Sequence, residues 1–196
     1  MDNTDKSLIV AHCRDDKGAF GELIRRYGDA VFGYLVHMTS DREQAEDLFQ
    51  ETFKRVHEKA HTFRGENFKS WLFTIATRLV IDNVRRRKRH ATISLDQSVE
   101  CAQGDCEPAA LVAASDKLSD PLEQSIRAEQ KQRVRQAIET LPVKQRAALV
   151  LAYYHQLSYS QVAQTMGCSI GTVKVQMSRA LQRLARTLPE FGEVPE

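Results

Sequence analysis

The chain has 196 residues, 42% of them hydrophobic and 28% charged, the balance of a folded domain or two rather than of a disordered or fibrous chain. Its longest wholly apolar run, Ala147 to Tyr154, is far shorter than the roughly 20 residues that cross a bilayer, and the start Met1-Asp2-Asn3-Thr4-Asp5-Lys6 is acidic, so neither membrane insertion nor a secretory signal is expected. The net charge of +2 hides an asymmetry: 17 Lys and Arg against 14 Asp and Glu in residues 1–93, 1 against 7 in residues 94–125, and 10 against 5 in residues 126–196. Two basic blocks flanking an acidic bridge suit a polyanionic partner, provided that the cations share a face.

From Phe20, the apolar residues Leu23, Ile24, Tyr27, Val31, Tyr34, Leu35 and Met38 recur at intervals of three and four, which predicts an amphipathic helix. Ser40-Asp41-Arg42-Glu43 reads as a capping box with Ser40 at the N-cap, since a Ser and a Glu at this spacing satisfy each other's orphan backbone donors. The helix it opens carries Ala45, Leu48, Phe49, Thr52, Phe53 and Val56. Arg64-Gly65-Glu66-Asn67 breaks the pattern. Phe68, Trp71, Leu72, Ile75, Ala76, Leu79, Val80 and Val84 then form another helical stripe, ending in Arg85-Arg86-Arg87-Lys88-Arg89-His90. Phe63, Phe68, Trp71 and Phe73 lie close in sequence to Arg64, Lys69, Arg78 and the arginine run. Such rings either pack in a core or stack on unpaired bases while the cations follow phosphates, and the arginine run also suits the end of a helix dipole.

His57-Glu58-Lys59-Ala60-His61 is a literal H-E-x-x-H, the spacing that binds zinc in metalloproteases. That chemistry needs a third ligand and a cleft, and no downstream motif supplies them. A polar helix end is the expected reading, with no metal, cofactor or catalytic residue, and the chain is not expected to be an enzyme.

Residues 94–121 lose all periodicity and contain Gly104, Pro108 and Pro121, which predicts a flexible acidic linker and a domain boundary. Cys101 and Cys106 in it are expected to be unpaired thiols. With Cys13 and Cys168 they are too few and too scattered for a disulfide scaffold, so a reducing cytoplasm is expected.

The last block is helical again. Ile126 to Leu141 forms one helix, stopped by Pro142, which is expected in the first turn of the next. Leu149 to Tyr154 is expected to be buried there, and Ser158-Tyr159-Ser160-Gln161 is a second capping box. Val162 to Val173, with small Ala163 and with Gly167 in the turn, has the spacing of a helix-turn-helix. Ser169 is placed to cap the second helix. On that helix Val173, Met177, Ala180 and Leu184 share one face. Gly171, Thr172, Val175, Ser178, Arg179, Gln182 and Arg186 share the other, flanked by Lys174 and Arg183. Small residues beside Arg and Lys suit entry into a major groove. The fold class expected is therefore all-α: two small helical domains joined by a flexible linker.

Taken in order, the segments 46–53 (EDLFQETF), Phe63-Arg64, 71–76 (WLFTIA), 82–87 (DNVRRR), 141–146 (LPVKQR) and 171–174 (GTVK) resemble an RNA polymerase sigma factor of the extracytoplasmic-function type, within the sigma-70 superfamily. The resemblance spans nearly the whole chain outside the linker. It implies a sigma-2-like domain over residues 1–93, an acidic linker over 94–125, a sigma-4-like domain over 126–188 and a tail over 189–196. It implies that Asp47, Leu48, Gln50, Glu51 and Phe53 bind core polymerase at the clamp helices of the largest subunit, with further contact at the flap. It implies that Phe63, Phe68, Lys69, Trp71, Arg78, Asn83, Arg85, Arg86 and Arg87 read and melt the −10 promoter element. Ser169, Thr172, Lys174, Val175, Arg179 and Arg183 would read the −35 element, and an anti-sigma factor is an expected partner. The chain departs from the family in a longer linker carrying Cys101 and Cys106, and in an apolar Val175 where an outward polar residue is easier to explain. Val175 suits contact with a thymine methyl. The rival reading within transcription is a dimeric helix-turn-helix regulator of a palindromic operator, although no dimer coiled coil is evident.

Overall fold

The computed structural model describes residues 4–65, 67–93 and 121–188, which form eight α-helices and one short 3-10 turn. The linker segment 94–120, with Cys101 and Cys106, and the tail 189–196 lie outside the described residues, as do the first three residues and Glu66. The helices are α1 (Asp5–His12), α2 (Lys17–Thr39), α3 (Arg42–Lys59), α4 (Phe68–Ile93), α5 (Pro121–Glu139), α6 (Val143–Tyr153), α7 (Tyr159–Met166) and α8 (Ile170–Thr187), with the 3-10 turn at Ala60–Thr62 after α3.

In the N-terminal unit, α2, α3 and α4 pack around Leu23, Val31, Tyr34, Leu35, Val56, Leu72 and Leu79, all at most 1% exposed. The Tyr34 hydroxyl would be costly in this core without a partner. It finds one in Thr77 of α4, 2.8 Å away. Helix α1 is only eight residues long and its apolar residues Leu8 to Ala11 are contiguous, so it shows no helical periodicity in the sequence. Thr4 caps it by accepting from the Ser7 N–H, and Leu8 and Ile9 bury it against α2. Arg26 and Tyr27 of α2 both donate to Asp5, fixing the helix in place.

The chain enters α3 differently from the expected capping box. Asp41 is the N-cap, and its carboxylate accepts from the Gln44 N–H. Ser40 instead closes α2 in the left-handed conformation, φ 57°. Two adjacent cap-competent residues offered two registers, and the tight α2–α3 turn takes the later one.

The C-terminal unit contains α5 to α8. Helix α5 starts at Pro121, five residues before the expected Ile126. Pro142 is the N-cap of α6 rather than a residue of its first turn, and its carbonyl accepts from the N–H of Gln145 and Arg146. Helix α6 buries Ala147 through Leu151, but Tyr153 and Tyr154 are 59% and 45% exposed, so burial stops three residues short of the expected Tyr154. The second capping box forms in full, with Ser158 accepting from the Gln161 backbone while the Gln161 side chain accepts from the Ser158 N–H. Gly167 closes α7 at φ 63°, with open space around its Cβ position. The glycine is therefore required by the backbone and not by crowding. Gly167→Val is expected to lower stability by about 1–2 kcal/mol in chemical denaturation, because a β-branched side chain is strained in the left-handed region.

Candidate nucleic-acid and polymerase interfaces

The helix-turn-helix is built as its spacing predicts. Val162, Val173, Met177 and Ala180 are buried between α7, α8 and α6, and Leu184 packs against them. Ser169 caps α8, its hydroxyl accepting from the Thr172 N–H at 3.1 Å. The opposite face is solvent-facing: Ser169, Thr172, Lys174, Val175, Arg179 and Arg183 are all exposed, as are Gly171, Ser178, Gln182 and Arg186. Helix α8 contains no Asp or Glu, so nothing on its own surface offsets this positive charge. Its N-terminus adds unsatisfied N–H groups and the positive end of the helix dipole, which favour phosphate. Val175 is 47% exposed in the middle of this face.

The residues expected at a −10 element fall on or next to α4 but have unequal access. The Asn67 side chain caps this helix by accepting from the Ser70 N–H at 2.9 Å. Arg78, Arg85, Arg86 and Arg87 are exposed along it, with Arg85 at 4.0 Å from Asp82. Asn83 is half-buried, its Oδ1 without a hydrogen-bond partner in the structure. Phe63 and Trp71 are also half-buried, their ring centroids 5.3 Å apart. Phe68 corrects the expectation. It is 1% exposed and held edge-on by Tyr27 at 5.3 Å and Phe63 at 5.8 Å, so it supports the aromatic cluster from beneath and offers no face to a base. Lys69 is half-buried, and its ammonium donates to the His155 carbonyl of the C-terminal unit at 2.7 Å. Sequence reasoning missed this partner, because the contact spans 86 positions.

The face expected to meet polymerase lies on α3. Asp47 and Gln50 are exposed, while Glu51 is half-exposed and ion-paired with Arg55 at 2.8 Å. Leu48 and Phe53 are each 5% exposed and turn inward, Phe53 against Phe49 and Phe20. They hold the helix in place rather than present it, because residues at helical intervals on one side of α3 form the core stripe.

The H-E-x-x-H residues divide between the last turn of α3 and the 3-10 turn. The His57 ring packs 4.9 Å from His12 and 5.5 Å from Phe20. Among the described residues, no three His, Cys, Asp or Glu side chains converge on a metal position. No described helix is long and apolar enough to cross a membrane.

Comparison with known proteins identifies two regions of the chain. Residues 23–90 match the family described as Sigma-70 region 2, and residues 131–184 match Sigma-70, region 4. The chain is 30% identical over 187 residues to the RNA polymerase sigma-H factor of Pseudomonas aeruginosa, covering 94% of this chain and 93% of that protein. It is 32% identical over 164 residues to the ECF RNA polymerase sigma factor SigM of Bacillus subtilis, covering 83% and 91%. In three dimensions it resembles the sigma factor RpoE of Bartonella quintana, solved with the anti-sigma factor NepR, at TM-score 0.66 and 29% identity over 87% of this chain and 96% of that one. Two sigma-70 regions in the expected order are not the plan of a dimeric operator-binding regulator, and that rival reading gives way.

Proposed function

The chain belongs to the sigma-70 family, among the extracytoplasmic-function RNA polymerase sigma factors, and from that membership we propose which of its faces meets which partner. It serves promoter recognition in transcription initiation. It does so by binding and positioning rather than by catalysis, and it works in the cytoplasm, where the polymerase is. The N-terminal unit grips core polymerase through the exposed Asp47 and Gln50 and the half-exposed Glu51 of α3. Phe63, Trp71, Lys69 and the arginines of α4 then engage the unpaired −10 strand, with rings for bases and cations for phosphates. The C-terminal unit, which we begin at Pro121, reads the −35 element through Thr172, Lys174, Val175, Arg179 and Arg183, and also touches the polymerase flap. Two modest DNA contacts carried on one polymerase raise each other's effective concentration through the linker. An anti-sigma factor that covers the same faces is the expected means of control.

The single observation that carries this reading is the exposed, acid-free face of α8, capped at Ser169 and seated on its own hydrophobic seam. The polymerase assignment has its own test. Asp47→Arg keeps the fold, since Asp47 is exposed, and weakens co-migration with purified core polymerase at least ten-fold, on the order of 1.4 kcal/mol. Unchanged binding would remove α3 from the polymerase interface.

A further inference from the structure

The aromatic cluster assigned above to the −10 strand does not stand on α4 alone. Its buried ring, Phe68, lies edge-on to Tyr27 of α2 at 5.3 Å, and Phe63 and Trp71 each pack on Phe68 at 5.8 Å. Tyr27 is therefore the base of one continuous series of ring contacts. It is half-buried, so its hydroxyl needs a partner, and it donates to the Asp5 carboxylate in the first turn of α1. Burial, and then this bond, raise the hydroxyl above its usual pKa, so it remains a donor near neutral pH. The other Asp5 oxygen accepts from Arg26 at 3.2 Å, and Arg26 is held in turn by Glu22 at 2.9 Å. An acid in the first turn of a helix ordinarily serves that helix's own dipole. Asp5 also serves a second element, because both of these partners lie on α2, 21 and 22 positions away. Helix α1 reaches the cluster by another route as well: it packs against the 3-10 turn Ala60–Thr62, and the next residue along the chain is Phe63.

We propose that Asp5 is a positioning residue for the −10 site: by holding the Tyr27 hydroxyl it fixes the edge on which Phe68 rests, and so sets the faces that Phe63 and Trp71 offer to unpaired bases. This inference rests on the assignment of Phe63 and Trp71 to the −10 strand. Without the carboxylate, the Tyr27 hydroxyl has no partner in a half-buried place, and the ring turns to reach water. Aromatic pairs hold preferred angles and packed interiors transmit displacement, so Phe68 follows and the Phe63–Trp71 pair loosens. Bases then find a less ordered platform to stack on. The polymerase face of α3 and the −35 face of α8 take no part in these contacts, so their binding is retained.

Trp71 is the chain's single tryptophan, so its emission reports this cluster alone. In the free full chain, Asp5→Ala and Tyr27→Phe are each expected to move the Trp71 emission maximum to longer wavelength and to increase its quenching by acrylamide, with helicity unchanged. Asp5→Asn should stay at the wild-type value, because its amide oxygen still accepts from Tyr27. The double variant Asp5→Ala with Tyr27→Phe should go no further than either single one, since both remove the same bond. A carboxylate that only docked α1 through Arg26 would instead give two effects that add. The second measurement uses the chain assembled on core polymerase and an oligonucleotide carrying the −10 strand of a promoter recovered by run-off transcription. Asp5→Ala should bind this strand about five-fold more weakly or worse, with affinity for core polymerase kept. Unchanged emission in Asp5→Ala, additive effects in the double variant, or wild-type binding of the strand by Asp5→Ala overturns the proposal. If Trp71→Ala binds the strand as tightly as wild type, the −10 assignment itself fails, and the emission alone then decides whether Asp5 sets the cluster.

Discussion

Arg179→Glu is expected to reduce transcription from a −35-dependent promoter by roughly ten-fold to more than a hundred-fold while leaving the melting temperature essentially unchanged. Arg179 is exposed on α8, on the side opposite Val173, Met177 and Ala180, so its side chain contributes nothing to the seam that holds the helix. Surface substitutions of this kind shift stability by about 0.5 kcal/mol or less. In a major groove the same guanidinium gives bidentate bonds to guanine or phosphate. Losing one such contact costs about 1–3 kcal/mol, and a carboxylate facing phosphate adds repulsion. The measurement pairs run-off transcription with thermal unfolding. Equal loss in both would place Arg179 in the fold rather than at DNA. Retained transcription would move the −35 contact to another face of α8.

Phe68→Ala is expected to have the largest effect on stability, about 3–5 kcal/mol, the usual range for removing a fully buried phenyl ring. The ring is 1% exposed and packed among Tyr27, Phe63 and Trp71. For a unit of roughly 90 residues this corresponds to a fall in melting temperature of roughly 12 °C or more. Trp71→Ala should cost clearly less, since that ring is half-buried, and should reduce binding of single-stranded −10 DNA instead. A mild Phe68→Ala variant that loses single-stranded DNA binding would reverse the two roles and return Phe68 to the surface set.

That pair of residues shows where the sequence is legible and where it stops. Apolar spacing of three and four predicts α2, α3, α4 and α8 because each must bury one stripe. The same periodicity cannot separate an aromatic ring that ends beneath the surface from one that lies across it. Phe68 and Trp71 are three residues apart on one helix and face different surroundings. Leu48 and Phe53 fall within a segment that resembles a polymerase contact, yet their helical phase places them in the core beside Asp47 and Gln50, which are exposed. Caps are legible when one residue fits, as at Ser158 and Ser169. They become ambiguous when two do, as at Ser40 and Asp41. Helix α1 was not legible, because eight residues with two buried apolar side chains fall below any periodic signal. Its position depends on Asp5 meeting Arg26 and Tyr27 on another helix. The contact between units was illegible for the same reason: Lys69 with His155, and Arg146 with Met38, are 86 and 108 positions apart.

The central claim is that this chain carries RNA polymerase to promoters through two separately placed DNA-reading faces. Run-off transcription with purified bacterial core polymerase, on genomic fragments from the source organism, tests it most directly. Defined transcripts should appear only when the protein is added, and should disappear with Asp47→Arg and with Arg179→Glu. The absence of any protein-dependent transcript, together with no co-migration with core polymerase, would contradict the account.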